Sequence, residues 1–542
     1  VLVYINPISI SQSKLIKDYY QQKKIILDKF DYNPFEADAM NRRVLELQEH
    51  HYNRDALVKV LESSNAKWHT DKTVFTNIER LKDPNSVVVI GGQQAGLLSG
   101  PLYTIHKIIS IIAFAKKQEK ALGQPVIPVF WIAGEDHDFA EINHILFPQQ
   151  NKMKKHTISQ HVTEKKSVSE LPIDHVITNE WLDTLFSQLD ATNNTKEIYE
   201  QPKQTLVQSD TYVDFFASFI RLLFKGEGLV LIDSGDPSVR QLEKNNFQEM
   251  INKQPEISSK VNQQLQAVRH AGYTVSVDVS PEDGHLFYHL NGERILLVKT
   301  GPDTWEGKNQ ECQFTTEELL AIAEEAPTQL SNNVVTRPLM QECLFPTLTF
   351  MAGPGELGYW SILKPAFHTL GLKMPPVLPR LSFTMLDRKS EKNINRYALD
   401  IDKLMERGAL QDKVNWIAAQ SNPQLDPIAE QTKIAIEQIH QPLRDIAKTM
   451  GPDLEEVAKK NLSYIYQHID FLEEALKKNV EDKHYKTLEI FDELHLKLHP
   501  ENGLQERCWN VISIINQYGY SWINEMIDHT YSFEHDHYVV KL

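Results

Sequence analysis

The stretch SVVVIGGQQAGLLSGPLYTIHK, residues 86–107, constrains this chain more than any other. Val87 to Ile90 is a continuous apolar run, the pattern of a strand covered on both faces and hence of a parallel sheet. Gly91, Gly92, Gly96 and Gly100 follow in close succession. Pro101 then stands at a favoured first helical position, and Ile105, Ile108, Ile109, Ile112 and Ala115 repeat with helical period, so a long helix is expected from about Gly100. A strand that empties through glycines into a helix start brings backbone N–H groups and the positive end of a helix dipole to one spot, a setting for phosphate or carboxylate. The spacing is neither a Walker loop nor Gly-x-Gly-x-x-Gly. Glycines so placed also serve turns with positive φ and close helix-strand packing. Gln93, Gln94 and Ser99 add amide and hydroxyl groups suited to a polar ligand.

At 542 residues the chain has room for several cores, about three or four units at the usual domain size. Its 41% apolar and 24% charged composition is that of a globular protein, and no segment approaches the roughly 18 uninterrupted apolar residues of a membrane span. VLVYINPISISQSK lacks the regions of a signal peptide, so a cytoplasmic location is expected. Cys312, Cys343 and Cys508 are isolated, which excludes a disulfide framework and Cys-x-x-Cys zinc spacing. A net charge of −16 disfavours broad contact with nucleic acid.

Residues 1–86 read as a mostly helical, peripheral leader. Val126 to Ala133 (VIPVFWIA) is a second apolar strand, completing a βαβ unit with the helix before it, and Leu229 to Asp233 (LVLID) is a third. Residues 150–210 are polar without a clear strand and read as an insertion. A second insertion, about 255–335, is expected to hold hairpins made from YTVSVDVS, HLFYHL and RILLVK, with a turn at Asn291-Gly292. PTLTFMA, residues 346–352, is a further strand, followed by GPGELGYW; Pro365 must kink or divide the helix after it. The expected fold is α/β, a Rossmann-like parallel sheet core over 1–386 with inserted segments. From 387 to 500 long Lys- and Glu-rich helical runs take over, punctuated at Gln441-Pro442 and Gly451-Pro452. Leu462, Ile465, Ile469, Leu472 and Leu476 form a coiled-coil seam, expected as an antiparallel hairpin and as a homodimer contact. The aromatic tail, 501–542, is expected to pack back on the core.

Glu135, Asp136, His137 and Asp138 follow the second strand directly, and ligands of open α/β sheets bind at that edge. Such groups hold Mg²⁺, orient an ammonium or act as a general base, and they also cap helices. Tyr103, Thr104, His106 and Lys107 occupy the first turns of the glycine-loop helix, where Lys and His stabilise charge on a phosphoryl group. Glu356, after Gly353-Pro354-Gly355, can accept hydrogen bonds from ribose or cap its helix.

In order, GPLYTIHK, FWIAGEDHD and MAGPGELGYW resemble the core of class I aminoacyl-tRNA synthetases and related nucleotidyltransferases. Thr104-Ile105-His106-Lys107 stands in place of their HIGH sequence, and Glu356 in place of their ribose-binding Asp. A resemblance spanning the chain is carried by GGQQAGLLSGPLYTIHKIISI, PVFWIAGEDHD, SNNVVTRPLMQE, AGPGELGYW, MPPVLPRL and the ending VVKL: these are similar to the cysteine-adding enzymes of bacillithiol biosynthesis. That resemblance implies a synthetase-like Rossmann core, a coiled-coil domain associated with dimerisation, and a ligase joining cysteine to glucosaminyl malate.

An amine does not displace a bare carboxylate at useful rates, so a nucleotide, expected to be ATP with Mg²⁺ as a further candidate, must activate it. Gly91, Gly92, Gln93, Gln94, Gly96, Gly100, Tyr103, Thr104, Gly353, Gly355 and Glu356 are expected to bind it. His106 and Lys107 would stabilise its charge, and Glu135, Asp136 and His137 would orient or deprotonate the attacking amine. The rivals are a non-catalytic nucleotide-sensing scaffold, which would bind nucleotide and make no product, and a synthetase acting on tRNA, opposed by the chain's charge. No nucleic-acid or membrane partner is expected.

Overall fold

The computed structural model describes residues 4–10, 12–420 and 424–542. Its central sheet is built from the apolar runs: β1 (Val87–Gln93), β2 (Val126–Ile132), β3 (Val230–Asp233), β4 (Thr347–Ala352) and β5 (Val377–Pro379). The order is β5-β4-β1-β2-β3, with every pair parallel. Ile90 stands opposite Val129 on one side and Phe350 on the other. β2, β3, β4 and β5 are buried throughout, and β1 up to Gly92, because helices cover both faces; hence their unbroken hydrophobicity. Helix α1 (Tyr103–Leu122) joins β1 to β2 and stops at Gly123, whose φ of 66° only glycine adopts cheaply. In this order β1 and β4 run to their carboxyl ends with connections leaving in opposite directions, which opens a crevice between them.

The chain divides into two compact units, one comprising residues 1–147, 154–387 and 505–542, the other 148–153 and 388–504. Within the first, residues 14–86 are not peripheral. Leu15, Ile16, Tyr19, Leu57, Val58, Leu61, Val74 and Ile78 belong to the same buried cluster as Val88, Ile90 and Val129. Asn65 ties this leader to β3, donating to the Leu231 carbonyl at 2.9 Å and accepting its N–H at 3.3 Å. Tyr4–Ile8 pairs antiparallel with His537–Lys541, which pairs parallel with Phe383–Leu386.

Helix α2 (Pro237–His270) runs on past residue 255, where an insertion was expected to begin. The inserted sheet is antiparallel, from Asp283–Leu290, Glu293–Lys299, Thr304–Gly307, Gln313–Thr315 and Leu330–Asn332. HLFYHL and RILLVK are its hairpin, turned at Asn291 and Gly292 with φ of 52° and 86°. YTVSVDVS forms no strand: its alternation buries Tyr273 and Val275 against the core without a backbone partner strand. The polar region 150–210 is likewise more ordered than its composition indicates, with a strand at Lys152–Thr157 and helices at His175–Ser187 and Thr195–Val207. Helix α3 (Thr336–Leu344) leads into β4, and α4 (Pro354–Trp360) leaves it; a separate helix, Lys364–Thr369, has Pro365 in its first turn.

The second unit is helical. Helices α5 (Leu425–Met450) and α6 (Pro452–Leu498) are joined at Gly451, with φ of 141°, and Pro452 opens the second. Pro442 does not punctuate: it lies inside α5. Lys477 pairs with Asp426, Lys433 with Asp470 and His440 with Asn461, so partner numbers fall as the chain advances and the pair is an antiparallel hairpin. Its seam is only partly closed. Leu462 is buried, but Leu472 and Leu476 are exposed, as are Ile439, Leu443, Ile446, Val457 and Phe471. Among the described residues no helix is long and apolar enough to cross a membrane.

Candidate functional site

β1 extends through the first glycines of its loop. A Cβ at Gly91 would sit 2.9 Å from the Met351 carbonyl oxygen and one at Gly92 2.6 Å from that of Trp131, so both glycines let β1 pack between its neighbours. Beyond it the backbone turns sharply: Leu98, Ser99 and Gly100 have φ of 46°, 72° and 66°. Two of these carry side chains and are strained. The Asn510 side-chain amide holds them, donating to the carbonyls of Leu98 at 2.9 Å and Gly100 at 2.7 Å. Gly96 faces Gly100, where an added Cβ would lie 3.0 Å from the Gly100 Cα. The N–H groups of Gly96 and Gly100 donate to the Gln94 and Leu97 carbonyls. Of the glycines expected to cradle phosphate, Gly91 and Gly92 belong to β1, and Gly96 and Gly100 shape the turn and spend their amides on it.

Side chains, not amides, occupy the crevice between β1 and β4. Lys107 on α1 is buried; its Nζ donates to the Gly92 carbonyl at 2.7 Å and to the Glu356 carboxylate at 2.5 Å, with Gln93 Oε1 at 3.4 Å. Burial lowers the Lys107 pKa, and Glu356 opposes that shift. Glu356 also accepts the Gly353 N–H at 2.6 Å, closing the first turn of α4. Tyr103, one turn before Lys107, receives a long 3.5 Å contact from Gln93 Nε2, and burial raises its pKa. Thr104 Oγ1 and Ser99 Oγ are buried without a partner among the described residues. Around Gly355 there is open space.

His106 points elsewhere, since consecutive helical residues are about 100° apart. Its Nδ1 lies 2.6 Å from Glu506, which also binds Arg380 at 2.6 and 2.9 Å and the Ser382 hydroxyl at 2.8 Å. A carboxylate only accepts, so Nδ1 carries the proton, and burial keeps His106 neutral by lowering its pKa. Its assignment to charge stabilisation is corrected: within the fully buried network His106 anchors the returning segment 505–542.

The run after β2 divides by environment. Glu135 is buried, paired with Arg240 at 2.6 Å and accepting the Asn332 N–H at 3.0 Å. Asp138 caps the helix Phe139–Ile142. Asp136 and His137 keep 40% and 31% of their side-chain surface. Asp136 accepts from Gln94 Nε2 at 2.9 Å and from Arg294 at 3.3 Å, and Gln94 also reaches Glu141 at 2.6 Å. The Arg294 guanidinium, seated 4.1 Å from the Phe287 ring centroid, lies 3.3 Å from His137 Nδ1. Arginine only donates, so Nδ1 accepts and Nε2 bears the hydrogen; burial and then Arg294 lower the His137 pKa. Gln93 touches the Lys107 group and Gln94 the Asp136 group, so consecutive residues join two clusters. Among the described residues no group of three or more His, Cys, Asp or Glu side chains is arranged to hold a metal ion.

Arg240, Arg294, Arg380, Glu506 and Asn510 were not singled out from the sequence. Arg380 lies within MPPVLPRL, but a role that depends on a partner more than a hundred residues away leaves no local pattern.

Residues 4–381 match the family model for the N-terminal Rossmann-like domain of bacillithiol biosynthesis BshC, and residues 383–542 the model for its C-terminal coiled-coil domain. The chain belongs to the BshC family. A relative from Oceanobacillus iheyensis is 40% identical over 99% of both chains, and one from Bacillus licheniformis is 38% identical over 98% of both; each is named "Putative cysteine ligase BshC". By this kinship the chain is a ligase of bacillithiol biosynthesis. A solved structure from Campylobacter jejuni, described as a "putative arginyl t-RNA synthetase", aligns with 84% of this chain and 98% of that one at 10% identity and a TM-score of only 0.21.

Proposed function

We propose that this BshC family member joins the carboxyl group of cysteine to the amine of glucosaminyl malate, with ATP activating the carboxylate. The observation that carries this reading is a buried lysine, Lys107, held by Glu356 and the Gly92 carbonyl in the crevice between β1 and β4. Such crevices bind nucleotides in parallel sheets of this order. Lys107, Gln93 and Tyr103 would hold the nucleotide's polar groups, with Gly355 leaving room beside them. ATP would supply a leaving group on the carboxyl carbon. The acidic groups here do not converge as a metal set, and no step is assigned to Mg²⁺.

Lys107 offsets negative charge that grows on the activated carboxyl as the amine attacks. The incoming ammonium must lose a proton before it is a nucleophile. Asp136, partly exposed and held by Gln94 and Arg294, accepts that proton. His137 cannot share this task while Arg294 donates to Nδ1; its Nε2–H instead orients a substrate oxygen. Glu135 acts through Arg240 and Asn332, positioning the turn. The test is mass spectrometry of a reaction containing cysteine, glucosaminyl malate and ATP. The amide should form with consumption of ATP, and Lys107→Met should abolish it; equal product without nucleotide would overturn the reading.

A further inference from the structure

We propose that Arg337 is an anion-recognition residue of the crevice, taking a carboxylate or phosphoryl oxygen pair of a bound substrate. It rests on the ligand set proposed above. Arg337 is the second residue of α3, which runs into the start of β4; the first turn of α3 therefore lies at the carboxyl edge of the sheet. Its contact to Tyr359 on α4, the helix that leaves β4 at that edge, agrees: NH2 donates to the Tyr359 hydroxyl at 3.0 Å. NH1 donates to Gln341 Oε1 at 3.2 Å, and the guanidinium carbon lies 5.4 Å from the Phe350 ring centroid.

What Arg337 lacks is an anion. The fully or nearly buried cations of this unit each have one: Arg43 has Glu46 and Glu342, Arg240 has Glu135 and Glu243, Arg294 has Asp136, Arg380 has Glu506, and Lys107 has Glu356. Arg337 is half-buried, and among the described residues no carboxylate lies within ion-pair distance of it. A desolvated charge without a partner is costly, and such a cost persists where a ligand supplies the partner.

The surroundings point the same way. Arg337 acts on Lys107 by charge repulsion, as Arg380 does, so these cations gather near one spot in a chain of net charge −16. An anion is drawn to a spot where cations gather. The planar guanidinium, fixed over Phe350 by two neutral acceptors, retains N–H donors for the forked geometry that carboxylates and phosphates share. Two ligands of the proposed reaction carry such groups: the nucleotide through its phosphates and the acceptor through its malate half.

The experiment is calorimetric titration of the full chain, separately with ATP and with glucosaminyl malate, for the wild type, Arg337→Ala, Arg337→Lys and Tyr359→Phe, with thermal unfolding of each. Loss of a charge-assisted contact should weaken one ligand at least tenfold in Arg337→Ala and leave the other within twofold, which identifies the source of the anion. Arg337→Lys should recover part of the loss, and Tyr359→Phe, which removes one of the two acceptors that fix the guanidinium, should weaken the same ligand by less than Arg337→Ala does. The proposal is overturned if Arg337→Ala binds both ligands within twofold of wild type, if it weakens both in step with a stability loss that Tyr359→Phe reproduces, or if the wild type binds neither. Binding is read without turnover: intact binding with no amide product would sink the ligase reading and leave the anion site standing.

Discussion

Asn510 holds Leu98 in a left-handed backbone conformation from 412 residues away, donating to its carbonyl at 2.9 Å and to that of Gly100 at 2.7 Å. Both carbonyls are buried with the loop, so removing the amide leaves them unsatisfied beside strained residues. Asn510→Ala should destabilise the chain by about 2–4 kcal/mol, at one to two for each orphaned group. Urea unfolding measures this. A loss below about 0.5 kcal/mol would mean the loop keeps its shape unaided.

Lys107→Met and Asp136→Asn should both abolish most product formation by different routes. Without Lys107, growing charge loses its counter-ion, and the rate should fall about a hundredfold or more. Without the Asp136 carboxylate the acceptor amine stays protonated, and the rate should fall about a hundredfold with nucleotide affinity nearly intact. Steady-state kinetics paired with nucleotide titration separates them. An Asp136→Asn variant that loses nucleotide affinity would move Asp136 to the nucleotide side.

His137→Ala should lose less than Asp136→Asn, about tenfold, mainly in KM, because a neutral Nε2–H donor orients and does not take the proton. A larger effect on kcat, with a changed pH profile near neutrality, would make His137 the base.

Stability should fall on mild acidification because of buried neutral histidines. His537 sits between the Ser382 and Thr384 hydroxyls at 2.8 and 2.9 Å, and burial lowers its pKa to about 4. Unfolded, it takes a proton near pH 6.5; folded, it stays neutral down to about pH 4. Between those values the unfolded state binds more protons, so stability rises with pH across that window, by up to about 3 kcal/mol for this residue. His285, also lowered to about 4 by burial, adds in the same direction. Urea unfolding at pH 4.5 and 7 should show the difference shrinking in His537→Asn; a flat wild-type profile would refute it.

The helical hairpin should pair with a second copy of itself. Ile439 at 77% and Phe471 at 72% exposure, with Leu443, Ile446 and Val457, are more apolar surface than an isolated hairpin keeps in water. Light scattering at micromolar concentration should give a dimer, and Leu443→Glu with Phe471→Glu should give a folded monomer. A wild-type monomer would discard the idea.

How far the residues announce all this depends on the range of the interactions. Continuous apolar runs marked β1 to β4 because burial on both faces leaves no alternation to confuse, and Gly451-Pro452 marked the hairpin turn because φ at that glycine is a local property. The leader, read as 1–86, was misjudged over 14–86 for the opposite reason: an amphipathic helix looks the same whether its apolar face meets a sheet or a neighbour. The acidic run after β2 was legible as a cluster, but not its division into Glu135, neutralised by Arg240, and Asp136, left accessible. That split comes from α2 and the inserted sheet, which supply Arg240 and Arg294 from more than a hundred residues downstream.

Residues 505–541 supply the clamp on the Leu98 turn, the counter-ion of Arg380 and the strand that pairs with Tyr4–Ile8. The strands of the parallel sheet all lie before residue 380, so the sheet can be complete in a chain that lacks residues 505–541 while the Leu98 turn is unclamped and Arg380 is without its counter-ion. Loss of that distant segment is therefore felt beside the carboxyl edge of the sheet, although every residue proposed to touch substrate is present.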